Sequence, residues 1–181
     1  MNANFIPNDP ERVRNIYPSV TPQWPFNQPP KTRESSQPIY NIQSDTNLKI
    51  MMRDGIRIAA DVFRPSSSGQ KFPALLAISP YTKGLQSTNV PIAQNEAGIT
   101  EFWVPRGYAH IIVDSRGTND SEGKFNNRGE IEQQDFVELI YWAANQSWCD
   151  GTVGMVGCSY FSLVQLLSAK HQPEPLKAIF P

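Results

Sequence analysis

A strand-to-helix transition near the C-terminus constrains the fold more than any other stretch of the chain. Residues 153–156 are apolar or small, which is typical of a strand buried in a sheet, and residues 162–169 have the apolar spacing of an amphipathic helix. Ser159 lies in the turn between them. A serine at such a turn projects its hydroxyl away from the sheet, towards the first backbone N–H groups of the helix. Because those donors and the helix dipole can stabilise an oxyanion, Ser159 is a candidate nucleophile.

The motif around Ser159 matches a nucleophile elbow in part. The sequence GCSYF at residues 157–161 has the first glycine of the Gly-x-Ser-x-Gly pattern, but Phe161 stands at its last position. Short patterns of this kind also arise by chance. The motif by itself therefore fits a catalytic elbow and an ordinary strand-to-helix turn equally well.

The other apolar segments predict an α/β fold. Asp54 and Gly55 separate two alternating runs, a pattern that favours a β-hairpin. Downstream, continuous apolar runs alternate with segments of helical spacing, as in proteins whose parallel strands are joined by helices. We therefore predict a mainly parallel sheet with an N-terminal antiparallel hairpin. The predicted elements are strands at residues 48–52, 56–63, 72–79, 108–114, 153–156 and 176–180, and helices at residues 100–106, 130–143 and 162–169.

The composition changes near residue 45. Residues 1–44 contain eight of the 16 prolines and no long apolar run, so they cannot form a core of their own. We predict that they are a Pro-rich arm, which either docks on the folded body through its scattered aromatic residues or is a disordered tail. Residues 45–181 are predicted to form the folded domain.

Composition narrows the possible partners. The chain has 16 Lys and Arg against 17 Asp and Glu, so neither nucleic acid nor an anionic membrane surface is predicted as a partner. With no visible signal peptide or transmembrane segment, a cytoplasmic location is the default expectation.

Cys149 and Cys158 are too few for a disulfide framework or a zinc site, and we expect both to be small core residues. No cofactor or metal is predicted, and the oligomeric state stays open.

Several short blocks between residues 52 and 181 form a linked set. They are MRDGIRIAADVFRP (52–65), SPYTK (79–83), GY (107–108), DSRG (114–117), SEG (121–123), WCDG (148–151) and GCSY (157–160). No single block is specific. In this order and spacing, however, the sequence resembles the Xaa-Pro dipeptidyl-peptidase-like serine hydrolases, the CocE/NonD group that includes cocaine esterase. The resemblance implies the N-terminal part of an α/β-hydrolase domain.

The resemblance implies a serine hydrolase that cleaves ester, amide or peptide bonds of a small substrate through an acyl-enzyme. It gives Ser159 the role of nucleophile and the Tyr160 backbone N–H that of one oxyanion donor. The second donor would be the Tyr81 hydroxyl, for which the alternative is a half-buried packing residue. It also implies structural roles for a set of charged residues: Asp114, Arg116, Asp120 and Asp135.

A serine hydrolase also needs a base, and an acid that orients the base. In α/β-hydrolases, both follow the nucleophile in the chain. His110 precedes Ser159 in a buried strand, and His171 lies roughly 18 Å from Ser159 along the helix axis. We therefore expect a hydrolase that is incomplete as given, truncated before its triad Asp and His. The alternative is a catalytically inactive truncated fragment or a binding module.

Overall fold

The computed structural model describes residues 36–86 and 96–181. The strands are β1 (Ile42–Met51), β2 (Arg57–Pro65), β3 (Phe72–Ser79), β4 (Ala109–Asp114), β5 (Cys149–Val156) and β6 (Leu176–Phe180). The helices are α1 (Lys83–Gln86), α2 (Thr100–Trp103), α3 (Glu130–Ala144) and α4 (Tyr160–Lys170), with a 3₁₀ turn at Val104–Arg106.

The strands form one sheet in the order β1-β2-β4-β3-β5-β6. β1, β2 and β4 pair antiparallel, whereas β4, β3, β5 and β6 pair parallel. Parallel strands require long crossover connections; the connection from β4 to β5 contains α3, and the connection from β5 to β6 contains α4. The predicted α/β fold, with a mainly parallel sheet and an antiparallel N-terminal hairpin, is confirmed.

The hairpin is longer than the sequence pattern indicates. β1 begins at Ile42, where its backbone pairs with Pro65, so residues 42–44 of the predicted arm are part of the sheet. Most side chains of β1 are exposed, which explains why apolar alternation does not reveal the start of this edge strand. Residues 1–35 of the predicted arm lie outside the described residues.

The core lies between the sheet and helices α3 and α4. Side chains alternate between the two faces of each strand, so Leu76 and Ile78 face this core while Ala77 joins a smaller cluster on the opposite face. The predicted helical stripe on α3 is buried as expected. The main core contains Ile58, Leu76, Ile78, Ile111, Phe136, Leu139, Ile140, Val153 and Val164. Burying each of the larger side chains contributes about 1.5–3 kcal/mol to folding.

A buried ion pair fixes the loop that follows β4. The Arg116 guanidinium donates to both carboxylate oxygens of Asp135 on α3, at 2.6 Å each. It also donates to Asp54 in the hairpin turn, at 2.7 Å. These bonds raise the pKa of Arg116 further above its usual range, with the bond to Asp135 as the largest cause. Arg116 therefore ties three segments together, in agreement with its predicted structural role.

His110 is a core residue of β4, as predicted. Its side chain is fully buried; Nε2–H donates to the Ala97 carbonyl oxygen at 2.9 Å, and Nδ1 accepts from the Thr100 hydroxyl at 2.8 Å. A carbonyl can only accept, so these partners fit the neutral imidazole. Burial lowers the pKa of His110 from 6.5 to about 4.

We expect the free energy of unfolding to decrease as the pH falls from about 6.5 to about 4. Above this range His110 is neutral in both states; within it the unfolded chain binds a proton that the folded chain does not. The expected loss is about 1.4 kcal/mol per pH unit, or about 3 kcal/mol in total. Urea unfolding at several pH values measures it. The His171→Gln control should keep the full slope, and an unchanged slope in His110→Gln would contradict the assignment.

The described residues contain neither a membrane-spanning helix nor a group of potential metal ligands. Across residues 36–86 and 96–181, no helix is long and apolar enough to cross a membrane. In the same ranges, no three His, Cys, Asp or Glu side chains are grouped as they would be around a metal ion.

Candidate active site

Ser159 has the backbone geometry of a nucleophile elbow. It joins β5 to α4 with φ 59° and ψ −120°. Positive φ is uncommon for a residue with a Cβ and stores strain that the surrounding structure must support. Serine often caps a helix with its hydroxyl, but Ser159 makes no such bond to the first turn of α4, all of which is described. Ser159 is exposed, so its hydroxyl is accessible from solvent.

Phe161, at the last position of the motif, is accommodated in the smaller apolar cluster. The side chain is buried with Ala77, Ala97 and Ile112. Gly157 has φ 124°, and a Cβ at this position would collide with the Phe161 side chain. The mismatch with Gly-x-Ser-x-Gly therefore leaves the sharp turn intact, and the glycine that the motif retains is the one that the turn requires.

Gln165 supports the elbow from inside α4. Its fully buried amide donates from Nε2 to the Gly157 carbonyl at 2.7 Å and accepts from the Phe180 backbone N–H at 2.7 Å. One side chain thus connects the turn before Ser159 to β6. Sequence reasoning missed this residue. The available signal was a polar residue on the apolar face of an amphipathic helix.

The structure places Tyr81 beside the residues that follow Ser159. Its ring centroid is 6.1 Å from that of Tyr160 and 6.2 Å from that of Phe161, and both contacts are edge-to-face. The Tyr81 side chain is 39% exposed. Because the ring packs on aromatic neighbours and is also partly exposed to solvent, its hydroxyl can donate a hydrogen bond to a group at the protein surface. Ser159, Tyr160 and Tyr81 are therefore gathered at one end of the parallel strands.

The loop that carries Tyr81 is held by side chains at both ends of its turn. The Tyr81 backbone N–H donates to Ser79 Oγ at 3.1 Å. Asn119, in the loop after β4, donates from Nδ2 to the Pro80 carbonyl at 2.9 Å. These two bonds connect the turn to the end of β3 and to the loop after β4.

Asp114 connects the same loop to the end of β4. Its buried carboxylate accepts the Lys83 backbone N–H at 2.7 Å, and Lys83 Nζ in turn donates to Asp120 at 2.7 Å. Burial raises the pKa of the Asp114 carboxyl. The SPYTK and DSRG blocks are thus in direct contact, and Asp114 and Asp120 have the structural roles predicted for them.

Neither histidine is placed to serve Ser159. His110 is enclosed in the core, and its two ring nitrogens are engaged by Thr100 and Ala97. His171 follows the C-terminal end of α4, with Nε2 3.2 Å from Gln133 Oε1. The structure therefore does not bring an imidazole to the nucleophile from either of the two histidines in the chain.

One cysteine prediction is wrong. Cys149 is buried in β5, as expected for a small core residue, but Cys158 is exposed. The reason is the elbow: the chain leaves the sheet at Gly157, so the next residue lies at the surface beside Ser159. The Cys158 backbone N–H donates to the Glu96 carbonyl at 3.0 Å.

An apolar groove of about 620 Å³ adjoins the elbow. It lies between α2 and the last two strands and reaches Gly157 and Cys158. Its walls include Ile99, Phe102, Trp103, Met155, Ile179 and Phe180. The groove offers apolar surface directly beside the candidate nucleophile.

Comparison with known families identifies the lineage. Residues 54–181 match the model of a family described as X-Pro dipeptidyl-peptidase (S15 family). The chain belongs to this family. Esterases and peptidases occur among its relatives in the S15 family, so the hydrolase lineage expected from the sequence blocks is confirmed.

Individual relatives agree with this assignment to the S15 family. Cocaine esterase from Rhodococcus sp. (strain MB1 Bresler) is 38% identical over 147 residues, which are 78% of this chain and 24% of the esterase. A putative Xaa-Pro dipeptidyl-peptidase from Bacillus anthracis is 31% identical over 161 residues, 71% of this chain and 27% of that protein. The crystal structure of a CocE/NonD family hydrolase from Staphylococcus aureus matches with a TM-score of 0.68 at 31% identity, covering 76% of this chain and 27% of its own. The chain thus spans about a quarter of the length of these relatives.

Proposed function

We propose that the chain carries the nucleophile and the oxyanion site of a serine hydrolase that cleaves ester or amide bonds through an acyl-enzyme. The observation that carries this proposal is the backbone of Ser159, which combines positive φ with a hydroxyl that does not cap α4. Strain of this kind persists where the surrounding structure enforces it and is common at reacting groups. Family membership supports the same chemistry, because the relatives are named as esterases and dipeptidyl-peptidases.

In the proposed reaction Ser159 Oγ attacks the carbonyl carbon of the substrate. A base takes the hydroxyl proton, and negative charge develops on the carbonyl oxygen. The Tyr160 backbone N–H, at the positive end of α4, and the Tyr81 hydroxyl donate hydrogen bonds to that oxygen. Collapse of the intermediate expels the alcohol or amine, which receives the proton, and leaves an acyl group on Ser159. Water then attacks the acyl-enzyme and releases the acid.

The proposal requires a base and an acid beyond the two histidines of this chain. His110 and His171 are both committed to contacts away from Ser159. A free imidazole molecule can take the place of the missing base, provided that the nucleophile and the oxyanion donors are already arranged.

We expect added imidazole to promote acylation of Ser159 by an activated ester such as p-nitrophenyl acetate. Intact-mass spectrometry of the purified chain should show the addition of one acetyl group at a rate that rises with imidazole concentration. Peptide mapping locates the acetyl group. The Ser159→Ala variant reports any acylation at other residues, while the neighbouring Ser162→Ala variant should behave as the unmodified chain.

Equal acylation of the unmodified chain and Ser159→Ala would overturn the proposed function. That result would favour the alternative, a module that binds an acyl ligand or a protein partner without catalysis. The apolar groove beside the elbow is the observation that supports this alternative, since exposed apolar surface of this kind commonly marks a binding site.

A further inference from the structure

We infer that Glu132, on α3, is a positioning residue that holds the two oxyanion donors in place through the Tyr160 side chain. This inference rests on the proposed function. The sequence accounts for Glu132 only as an acid in the first turn of a helix, where the dipole favours negative charge and the side chain normally meets water. In the structure Glu132 is completely buried.

The two oxygens of the Glu132 carboxylate bind two different segments. Oε1 accepts the hydrogen bond of the Tyr160 hydroxyl at 3.1 Å. Oε2 accepts a hydrogen bond from the Arg128 backbone N–H. A buried carboxylate is costly unless its oxygens are satisfied, and here both are. Glu132 therefore connects the loop before α3 to the residue that follows the nucleophile.

Tyr160 is held on its ring as well as at its hydroxyl. The Arg128 guanidinium carbon lies 4.9 Å from the Tyr160 ring centroid, a cation–π contact. Arg128 itself has φ 65°, so its loop is constrained where it covers the ring. The hydroxyl and one ring face of Tyr160 are therefore both held by contacts with residues 128 and 132.

Both proposed oxyanion donors depend on the position of the Tyr160 side chain. The first donor is the backbone N–H of Tyr160 itself, so the orientation of that peptide group is coupled to the anchored side chain. The second is Tyr81, whose ring packs edge-to-face on the Tyr160 ring at 6.1 Å. Donors to an oxyanion must be held to within about 0.5 Å of the productive geometry. Loss of the Glu132 carboxylate would release the side chain on which both donors depend.

The test compares Glu132→Gln with Glu130→Gln, a matched control in the same helical turn whose side chain is exposed. We expect Glu132→Gln to lower the maximal rate of imidazole-promoted Ser159 acylation roughly tenfold, while the half-saturating ester concentration stays the same. Glu130→Gln should match the unmodified chain. A residue that only stabilises the fold would not change the maximal rate of the folded protein in this way.

Hydrogen exchange tests the positioning role without any chemistry at Ser159. In Glu132→Gln, amides of the peptide spanning residues 158–163 should exchange faster, and in Glu130→Gln they should not. Unchanged exchange in Glu132→Gln would overturn the inference even if no acylation is detected. Absence of acylation in the unmodified chain would count against the proposed function alone.

A second variant, Tyr160→Phe, removes the same hydrogen bond and is used if circular dichroism shows that Glu132→Gln is unfolded. Wild-type exchange and acylation in Tyr160→Phe would then overturn the inference.

Discussion

Without added imidazole, the purified chain is expected to turn over activated esters roughly 10⁶-fold more slowly than serine hydrolases with a complete triad. The reason is the placement of its two histidines, one enclosed in β4 and the other at the far end of α4. Substrate binding and an oxyanion site alone retain roughly 10³–10⁴-fold acceleration over water in serine enzymes that lack triad residues. A small residual rate should therefore remain, and it should be nearly the same in Ser159→Ala, because removal of the serine alone costs about as much as removal of the whole triad.

Steady-state hydrolysis of p-nitrophenyl butyrate measures this rate, with Ser159→Ala as the background. Without imidazole the unmodified chain and Ser159→Ala should have nearly equal rates, and imidazole should raise only the rate of the unmodified chain above the background. Fast Ser159-dependent turnover without imidazole would contradict the prediction. It would mean that a group other than His110 or His171 acts as the base, and a fluorophosphonate adduct at Ser159 would then confirm an activated nucleophile.

The sheet was predictable because its strands have a local signature. The apolar run at residues 72–79 coincides with β3, and the helical spacing of Phe136, Leu139 and Ile140 corresponds to α3. The start of β1 was not predictable, since an exposed edge strand is specified by its pairing with β2 more than by its own apolar pattern. The local apolar pattern therefore predicts the buried strands, whereas the start of the edge strand is determined by tertiary contacts.

The arrangement of the candidate active site was harder to predict from the sequence than the fold. The motif around Ser159 left open whether the turn was catalytic, and the candidate role of Tyr81 came from family resemblance. Residues 81 and 160 are far apart in sequence, and their ring contact exists only after β3 and β5 have paired. Glu132 was missed for the same reason, since an acid in the first turn of a helix has the same local pattern whether it is buried or faces water. Gln165 was missed although its position on the apolar face of α4 was a local signal.

Removal of the Tyr81 hydroxyl is expected to slow Ser159 acylation by roughly 10²–10³-fold, the usual cost of losing one oxyanion donor. Tyr81→Phe keeps the ring that packs on Tyr160 and Phe161, so the loop should stay in place. The substitution should therefore lower the maximal rate of acylation. Imidazole-promoted acylation followed by intact mass provides the measurement. Tyr141 on α3 is an exposed tyrosine whose hydroxyl accepts the Glu174 backbone N–H at 3.3 Å, so Tyr141→Phe is a matched control away from Ser159 and should react normally. If Tyr81→Phe reacted as fast as that control, Tyr81 would be a packing residue and the second oxyanion donor would have to be another group.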